Sequence, residues 1–428
     1  MKKRWFQGLV VGALLPFLVG CPGSGTRTRE GERAPTAASS QEKKEEVKRA
    51  AKREWEPGVH RLGPGTIPGT SSVVVVHQSP LLFTRQLTLE ADGGGSAEGL
   101  IGKLSGILEA GGSNRNLLVR LNVYGLSAPE IEAFLAEWSK LFPSGGAPVV
   151  TALESPLPDA GEKLAIDAIA AVEANVDAVA VKSMTPEANP AGAADYSVTP
   201  TKSLVFLSGR PEKGETPDAA RAAIEGQLAL AAELGCGPGD VVQIRAFLAE
   251  MEEAPTVLDA IRSAFGEKPV PPVSFAAWIA SAPVEIELIA CRPQTAGDDS
   301  QSEEAIRFYN PADVKPSPNF SRATIVTSPT LIFTAGYLAR SEADGTGQTR
   351  DVFSQLTEAL ESFGSDLRHG AKAHYFVSDD DASKAVDVLR KEYLDPGRPP
   401  AASKAKVHGL GRSGRGVCID WIAVPGDP

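Results

Sequence analysis

Ser79-Pro80-Leu81-Leu82-Phe83-Thr84, Ser203-Leu204-Val205-Phe206-Leu207-Ser208-Gly209 and Ser328-Pro329-Thr330-Leu331-Ile332-Phe333-Thr334-Ala335-Gly336 are three short apolar stretches of one kind. Their phenylalanines, Phe83, Phe206 and Phe333, stand 123 and 127 residues apart. A near-constant period marks an internal repeat, and each stretch has the length and apolarity of a buried strand. After each strand, apolar residues recur at i, i+3, i+4 and i+7 and stop near Gly111, Gly235 and Gly364, the pattern of an amphipathic helix closed by a left-handed glycine. An alternating strand follows at 118–124, 241–248 and 371–377, then a second helix at 129–141, 256–265 and 382–393. The Asp379-Asp380-Asp381 run is expected to cap the last of these helices and complement its dipole rather than hold a metal. Each copy closes with a proline-marked turn, a strand, and a last strand at 164–170, 284–290 and 417–424. The order strand pair, helix, strand, helix, strand pair predicts an α+β fold, a mixed sheet covered on one face by two helices, three times over.

The start of the chain has a different character. Lys2, Lys3 and Arg4 precede an apolar run from Phe6 to Gly20 that ends in Leu18-Val19-Gly20-Cys21. This is similar to the bacterial lipobox, which implies a diacylglycerol thioether on Cys21 and removal of residues 1–20. A secretory signal cut elsewhere is the alternative; a membrane span is disfavoured because the run falls short of about 20 apolar residues. Residues 21–57 are polar, with the charged run Gln41-Glu42-Lys43-Lys44-Glu45-Glu46, and are expected to form a tether beyond the lipidated cysteine. The expected partner of Cys21 is a lipid bilayer, and the expected location is the bacterial cell envelope, periplasmic or surface-facing. Repeat copies are expected at 58–172, 176–293 and 305–428, joined by linkers near 185–194 and 294–304.

Composition excludes several classes of function. Lys and Arg number 43 against 54 Asp and Glu, a net charge of -11, and no basic stripe is interleaved with aromatics, so nucleic acid is not an expected partner. Cys236, Cys291 and Cys418 are too far apart for a redox or zinc motif and are expected to be small buried hydrophobes. His60, His77, His369, His374 and His408 have no metal-ligand spacing, so neither metal nor cofactor is expected. Residues 409–414 match GxGxxG, but they lead into a strand and are expected to turn a hairpin rather than hold a dinucleotide.

Several segments resemble the Rid family, also called the YjgF type, of imine and enamine deaminases. The second copy carries the likeness in Asn189-Pro190, Asp195-Tyr196-Ser197, the strand ending in Ser208-Gly209, and Val284-Glu285-Ile286-Glu287-Leu288-Ile289-Ala290. The third copy carries it in Asn319-Phe320-Ser321, the strand ending in Ala335-Gly336, Gln348-Thr349 and Ile419-Asp420-Trp421-Ile422-Ala423; the first has Arg85-Gln86 where the others have Ser-Gly or Ala-Gly. The resemblance implies a chorismate-mutase-like fold and trimers whose sheets enclose a central barrel, with a substrate cleft at each boundary. Three copies in one chain then imply a monomeric pseudo-trimer, because linkage makes assembly intramolecular.

The resemblance also implies a site. Tyr196, Ser208, Gly209, Phe320, Ala335 and Gly336 are the implied cleft lining. Active family members use an arginine from a Pro-Ala-Arg element, whose planar fork grips a substrate carboxylate. Here the corresponding triplets are Pro148-Val149-Val150, Pro271-Pro272-Val273 and Pro400-Ala401-Ala402, so Val150, Val273 and Ala402 stand in vacant arginine positions. Asp167, Glu287 and Asp420 are the implied cleft acids, with a structural role on the last strand as the alternative. Arg85, Arg210, Arg398 and Lys404 are the candidate surrogate cations. The expected function is binding of a small anionic or imine-like ligand, or of a protein, without efficient deamination; the alternative is an enamine or imine deaminase acting on 2-aminoacrylate-like substrates in one divergent cleft.

Overall fold

A computed structural model of the chain describes residues 54–90, 96–143, 146–184, 192–201, 203–293 and 304–426. The signal, Cys21, most of the tether and Asn189-Pro190 lie outside the described residues. What is described falls in one compact unit, Lys44–Pro428.

The chain runs three times through one order of elements. The first third has β1 (Gly58–Pro64), β2 (Ser71–His77), β3 (Leu81–Thr84), β4 (Leu87–Glu90), α1 (Ala97–Ala110), β5 (Leu118–Gly125), α2 (Ala128–Ser139), β6 (Val149–Glu154) and β7 (Glu162–Ala171). The second has β8 (Ala180–Lys182), β9 (Tyr196–Thr199), β10 (Leu204–Leu207), β11 (Arg210–Glu212), α3 (Thr216–Glu233), β12 (Val241–Leu248), α4 (Ala254–Phe265), β13 (Val273–Ala277) and β14 (Val284–Cys291). The third has β15 (Ile306–Tyr309), β16 (Ala323–Val326), β17 (Thr330–Thr334), β18 (Tyr337–Leu338), α5 (Gly345–Ser362), β19 (Gly370–Val377), α6 (Asp380–Tyr393), β20 (Ala401–Lys406), the short β21 (Gly409–Leu410) and β22 (Val417–Ala423).

Local chemistry sets the element ends. Asp379 caps α6 as expected, its side chain accepting from the Ala382 amide at 2.8 Å. Gly235 and Gly364 adopt positive φ after α3 and α5, whereas after α1 the left-handed residue is Gly112 rather than the expected Gly111. The glycine-rich 409–414 segment turns toward β22 through Gly414 at positive φ, with no helix behind it.

Pairing does not follow the thirds. The first sheet runs β6-β5-β7-β3 and is then completed by β9 and β8 of the second third; the second runs β13-β12-β14-β10 and is completed by β16 and β15 of the third. The third sheet runs β20-β19-β22-β17 and is completed by β2 and β1, from the beginning of the chain. Each third therefore hands its leading strands to another sheet, and the exchange is circular. β5/β6, β12/β13 and β19/β20 are parallel pairs; the exchanged strands pair antiparallel, with His77 opposite Thr330, Val198 opposite Leu82 and Ile325 opposite Val205. Gln78, with φ of 49°, is the turn residue where the chain leaves the third sheet for the first; it is the sole non-glycine with positive φ among the described residues.

Each sheet buries one face under its two helices. In the first, Leu104 and Leu108 of α1 and Phe134 and Trp138 of α2 pack on Leu121, Ile166 and Leu82, with Tyr196 and Val198 contributed by β9. The opposite faces of the three sheets meet one another. At one level Phe83, Phe206 and Phe333 pack with Ile169, Val242 and Ile422. At the other, Tyr124, Phe247 and Phe376 pack with Ala165 and Cys418. The central barrel implied by the resemblance is not formed, because among the described residues the strands make three open sheets rather than one closed one. No described helix is long and apolar enough to cross a membrane.

Candidate functional site

Between those two apolar levels lies a buried layer of charge. A register shift recurs at Leu118/Arg120, Val241/Gln243 and Gly370/Lys372. The extra residue of a β-bulge re-aims its neighbours, so Val119, Val242 and Ala371 enter the apolar level while Arg120, Gln243 and Lys372 also turn inward. Two residues further on, Asn122, Arg245 and His374 face the same centre. Opposite them are Asp167, Glu287 and Asp420.

These three acids therefore do not line clefts. Asp420 has no exposed surface, pairs with Arg120 at 2.9 Å and with His374 Nδ1 at 2.9 Å, and accepts from Thr151 Oγ1 at 3.0 Å. Glu287 accepts from His374 Nε2 at 2.9 Å, Lys372 Nζ at 2.7 Å and Ser403 Oγ at 2.5 Å, with Arg245 3.5 Å away. Asp167 accepts from Asn122 at 2.6 Å and the Tyr124 hydroxyl at 2.7 Å, with Arg245 at 3.8 Å. Burial alone would raise the proton affinity of Asp420 and Glu287; against it, Arg120 and His374 hold the Asp420 carboxyl well below the usual carboxylate range, and His374, Lys372 and Arg245 do the same for Glu287. The network joins all three sheets, and His374, which spacing had set aside, is its bridge.

The boundary positions are sealed differently. Val150, Val273 and Ala402 point their side chains into the helix-covered cores of their own thirds. Their carbonyls accept from the neighbouring third: Gly336 N to Val150 O at 2.9 Å, Gln86 N to Val273 O at 3.2 Å, and Gly209 N to Ala402 O at 3.3 Å. The Gln86 side chain also donates to the Phe275 carbonyl at 2.9 Å and accepts from the Phe275 amide at 3.2 Å. Ser208 bonds the Ala402 amide at 2.7 Å and the Ser321 carbonyl at 2.6 Å. Gly336 lies beside Thr151 and Cys418, and the Ala335 amide donates to the Ser72 carbonyl at 2.9 Å.

One acid was missed by the sequence reading. Ala165, Glu285 and Cys418 occupy the same place on the three closing strands, two residues before Asp167, Glu287 and Asp420. Glu285 is thus a carboxylate in an otherwise apolar level, 6 % exposed, with Oε1 lacking a hydrogen-bond partner. Burial first, then the nearby Glu287, push its carboxyl up to about 8, although Lys372 and Ser403 pull the other way. The signal that could have found it is the comparison of the three copies at one position.

The expected surrogate cations do not converge on the vacant positions. Arg85 pairs with Asp195 at 2.7 Å, Lys404 with Asp387 at 2.6 Å and Ser383 at 3.1 Å, and Arg398 with Glu304 at 3.7 Å. Tyr196 sits in the first core with its hydroxyl on the Ala110 carbonyl, and Phe320 packs at the third core beneath Arg322. Arg210, paired with Glu212, instead borders an open pocket of about 550 Å³ between α3 and residues 311–322. Ser208, Gly209, Arg210, Gln227 and Arg322 line it. The corresponding place between α5 and the β1–β2 turn is a pocket of about 480 Å³ bordered by Ser72, Tyr337, Arg340 and Gln355. Cys236, Cys291 and Cys418 are buried and form no disulfide, and no metal-holding cluster of His, Cys, Asp and Glu occurs among the described residues.

Fold and centre together define an α+β protein with exchanged strands around a buried ion-pair layer. Residues 311–425 match the sequence profile of the family described as Endoribonuclease L-PSP. That match makes residues 311–425 a segment of the Rid, or YjgF, type. Solved structures similar to parts of it include a YjgF-family protein of Neisseria meningitidis, 26% identical over 29% of this chain and 97% of that one, with a TM-score of 0.23. Another is a YjgF-family member from Mycobacterium tuberculosis, 25% identical over 22% of this chain and 77% of that one, TM-score 0.20. TdcF of Escherichia coli, solved with bound serine, is 24% identical over 21% of this chain and 82% of that one, TM-score 0.20. No curated protein matches the chain.

Proposed function

We infer that this protein is a lipid-anchored binding or scaffold protein of the bacterial envelope, built from three Rid-type copies that form an intramolecular pseudo-trimer. The lipobox-like ending at Cys21 supports the anchor and the envelope location. The threefold element order and the circular exchange of strands support the pseudo-trimer.

The observation that carries the loss of deamination is the fate of the vacant positions. Val150, Val273 and Ala402 are buried against their own helices, while Asp167, Glu287 and Asp420 are occupied by ion pairs at the centre. Neither the carboxylate grip nor a water-positioning acid is left at those places. The binding site this reading assigns is the pocket of about 550 Å³, where Arg210 and Arg322 offer charge to a small carboxylate and Glu212 and Asp313 to an amine.

The specific observation favouring residual chemistry is Glu285 beside Gly209, a buried acid able to hold or release a proton near neutral pH. The test is hydrolysis of freshly generated 2-aminoacrylate by the chain, with an intact family enzyme as control, alongside calorimetric titration with small amino and keto acids. Binding without acceleration over buffer is expected. Acceleration abolished by Glu285→Gln would establish the enzyme reading instead.

A further inference from the structure

The charged layer encloses one small cavity, about 20 Å³, roofed by Ile169, Ile289 and Ile422. That volume accommodates a single atom-sized guest and no polyatomic ligand, since one water needs roughly 10–15 Å³. Its walls include Arg120, Gln243 and Arg245, which are 2 %, 5 % and 7 % exposed. Gln243 Nε2, Arg120 Nε and Arg245 Nε have no hydrogen-bond partner. A buried donor left unsatisfied costs about 1–3 kcal/mol, so three in one place call for an acceptor.

Charge counting points the same way. Asp167, Glu287 and Asp420 balance Arg120, Arg245 and Lys372. His374 then tips the balance: its two ring nitrogens each face a carboxylate oxygen at 2.9 Å, closer than Arg245 Nη1 at 3.4 Å from Nε2, and because ionised carboxylates only accept, the geometry favours the ring with hydrogen on both nitrogens. With the neighbouring Glu285 carboxyl, raised by burial to about 8, holding its proton below that pH, the layer is left with one positive charge in excess and donors in excess, away from solvent. Glu287 also borders the cavity, but its Oε2 is engaged by Lys372 and Ser403.

We propose that this cavity between the three sheets binds one monatomic monovalent anion, chloride being the probe. A water would satisfy Gln243 but not the charge. The anion ties the three thirds together at the point where their sheets meet, independently of anything bound at the boundaries.

Crystals of the chain grown in bromide test it directly. An anomalous peak among Gln243, Arg120 and Arg245 is expected; a scatterer without anomalous signal there, an ordered water only, overturns the proposal. Thermal unfolding at constant ionic strength supplies a second arm. Replacing gluconate by 0.3 M chloride is expected to raise Tm by about 2 °C. Gln243→Glu supplies the missing negative charge, so it is expected to raise Tm in gluconate and abolish the chloride response. A chloride response that persists in the variant assigns the effect elsewhere and counts against the cavity. Should the variant not fold, the bromide peak decides.

Discussion

Arg120 of β5 and Asp420 of β22, 300 residues apart in the chain, meet as an ion pair of 2.9 Å with neither side chain more than 2% exposed. Such a pair adds little net stability, because desolvation offsets much of the attraction, but it is costly to break from one side. Arg120→Ala leaves the Asp420 carboxylate in a dry interior with only His374 and Thr151. A loss of about 3–5 kcal/mol in urea unfolding is expected. A loss below about 1 kcal/mol would mean that water reaches the layer.

Glu285 and Gly209 form the second testable contact. A side chain on residue 209 would overlap the Glu285 carboxylate, and Gly209 has ordinary φ, so steric room rather than backbone freedom explains the glycine. Gly209→Ala should destabilise by about 1–3 kcal/mol, the range for overpacking. In Gly209→Ala/Glu285→Ala most of that loss should return, giving a coupling of about 1 kcal/mol or more. Simple additivity in the double-mutant cycle would contradict the contact.

The pH dependence of stability follows from opposite shifts in neighbouring acids. Glu285 is raised to about 8 in the folded protein, so its stabilising contribution is complete below the unfolded value of about 4.3 and fades as pH rises through 8. Glu287 and Asp420 are depressed; their contribution is present above about pH 4 and lost as pH falls further. Unfolding free energy should therefore fall from pH 5 to 8, and Glu285→Gln should flatten that slope while leaving the acid limb intact. A slope unchanged in Glu285→Gln would place the titration elsewhere.

For ligand binding, the surrogate cations separate by geometry. Arg210 borders the larger pocket, whereas Lys404 is held by Asp387 and Ser383 of α6. Arg210→Ala should weaken binding of a small carboxylate about tenfold, the loss of one charge-assisted hydrogen bond, while Lys404→Ala leaves it unchanged. Calorimetric titration showing the reverse order would move the site to the face of α6.

The recurring order of elements was legible in the sequence because helical and strand periodicities survive even where identities drift. Phe83, Phe206 and Phe333 do occupy one level of the interior, and Asp379 does cap its helix. Strand partnership was not visible. The connections 78–80, 200–203 and 327–329 are short enough for hairpins, and nothing local says that the strands on either side of each enter different sheets. The acids show a related limit. Alternation puts Asp167 opposite Ile166 and Ala168, but a sheet buried on both faces gives no polarity cue to which face is cleft and which is centre. Glu285 was hidden for the same reason, since Glu285 and Glu287 share a face and only the structure separates their levels.

The circular strand exchange has a consequence in time. His77 of β2 pairs with Thr330 of β17, so the first hairpin to be synthesised belongs to the last sheet to be completed. At roughly 5–20 residues per second, about 10–50 s separate the two on the ribosome. Throughout that interval the valines at 73–76 have no partner on one edge, and such a run is the kind that finds another chain's edge instead. The nascent protein must therefore be kept from its own copies until β17 has emerged.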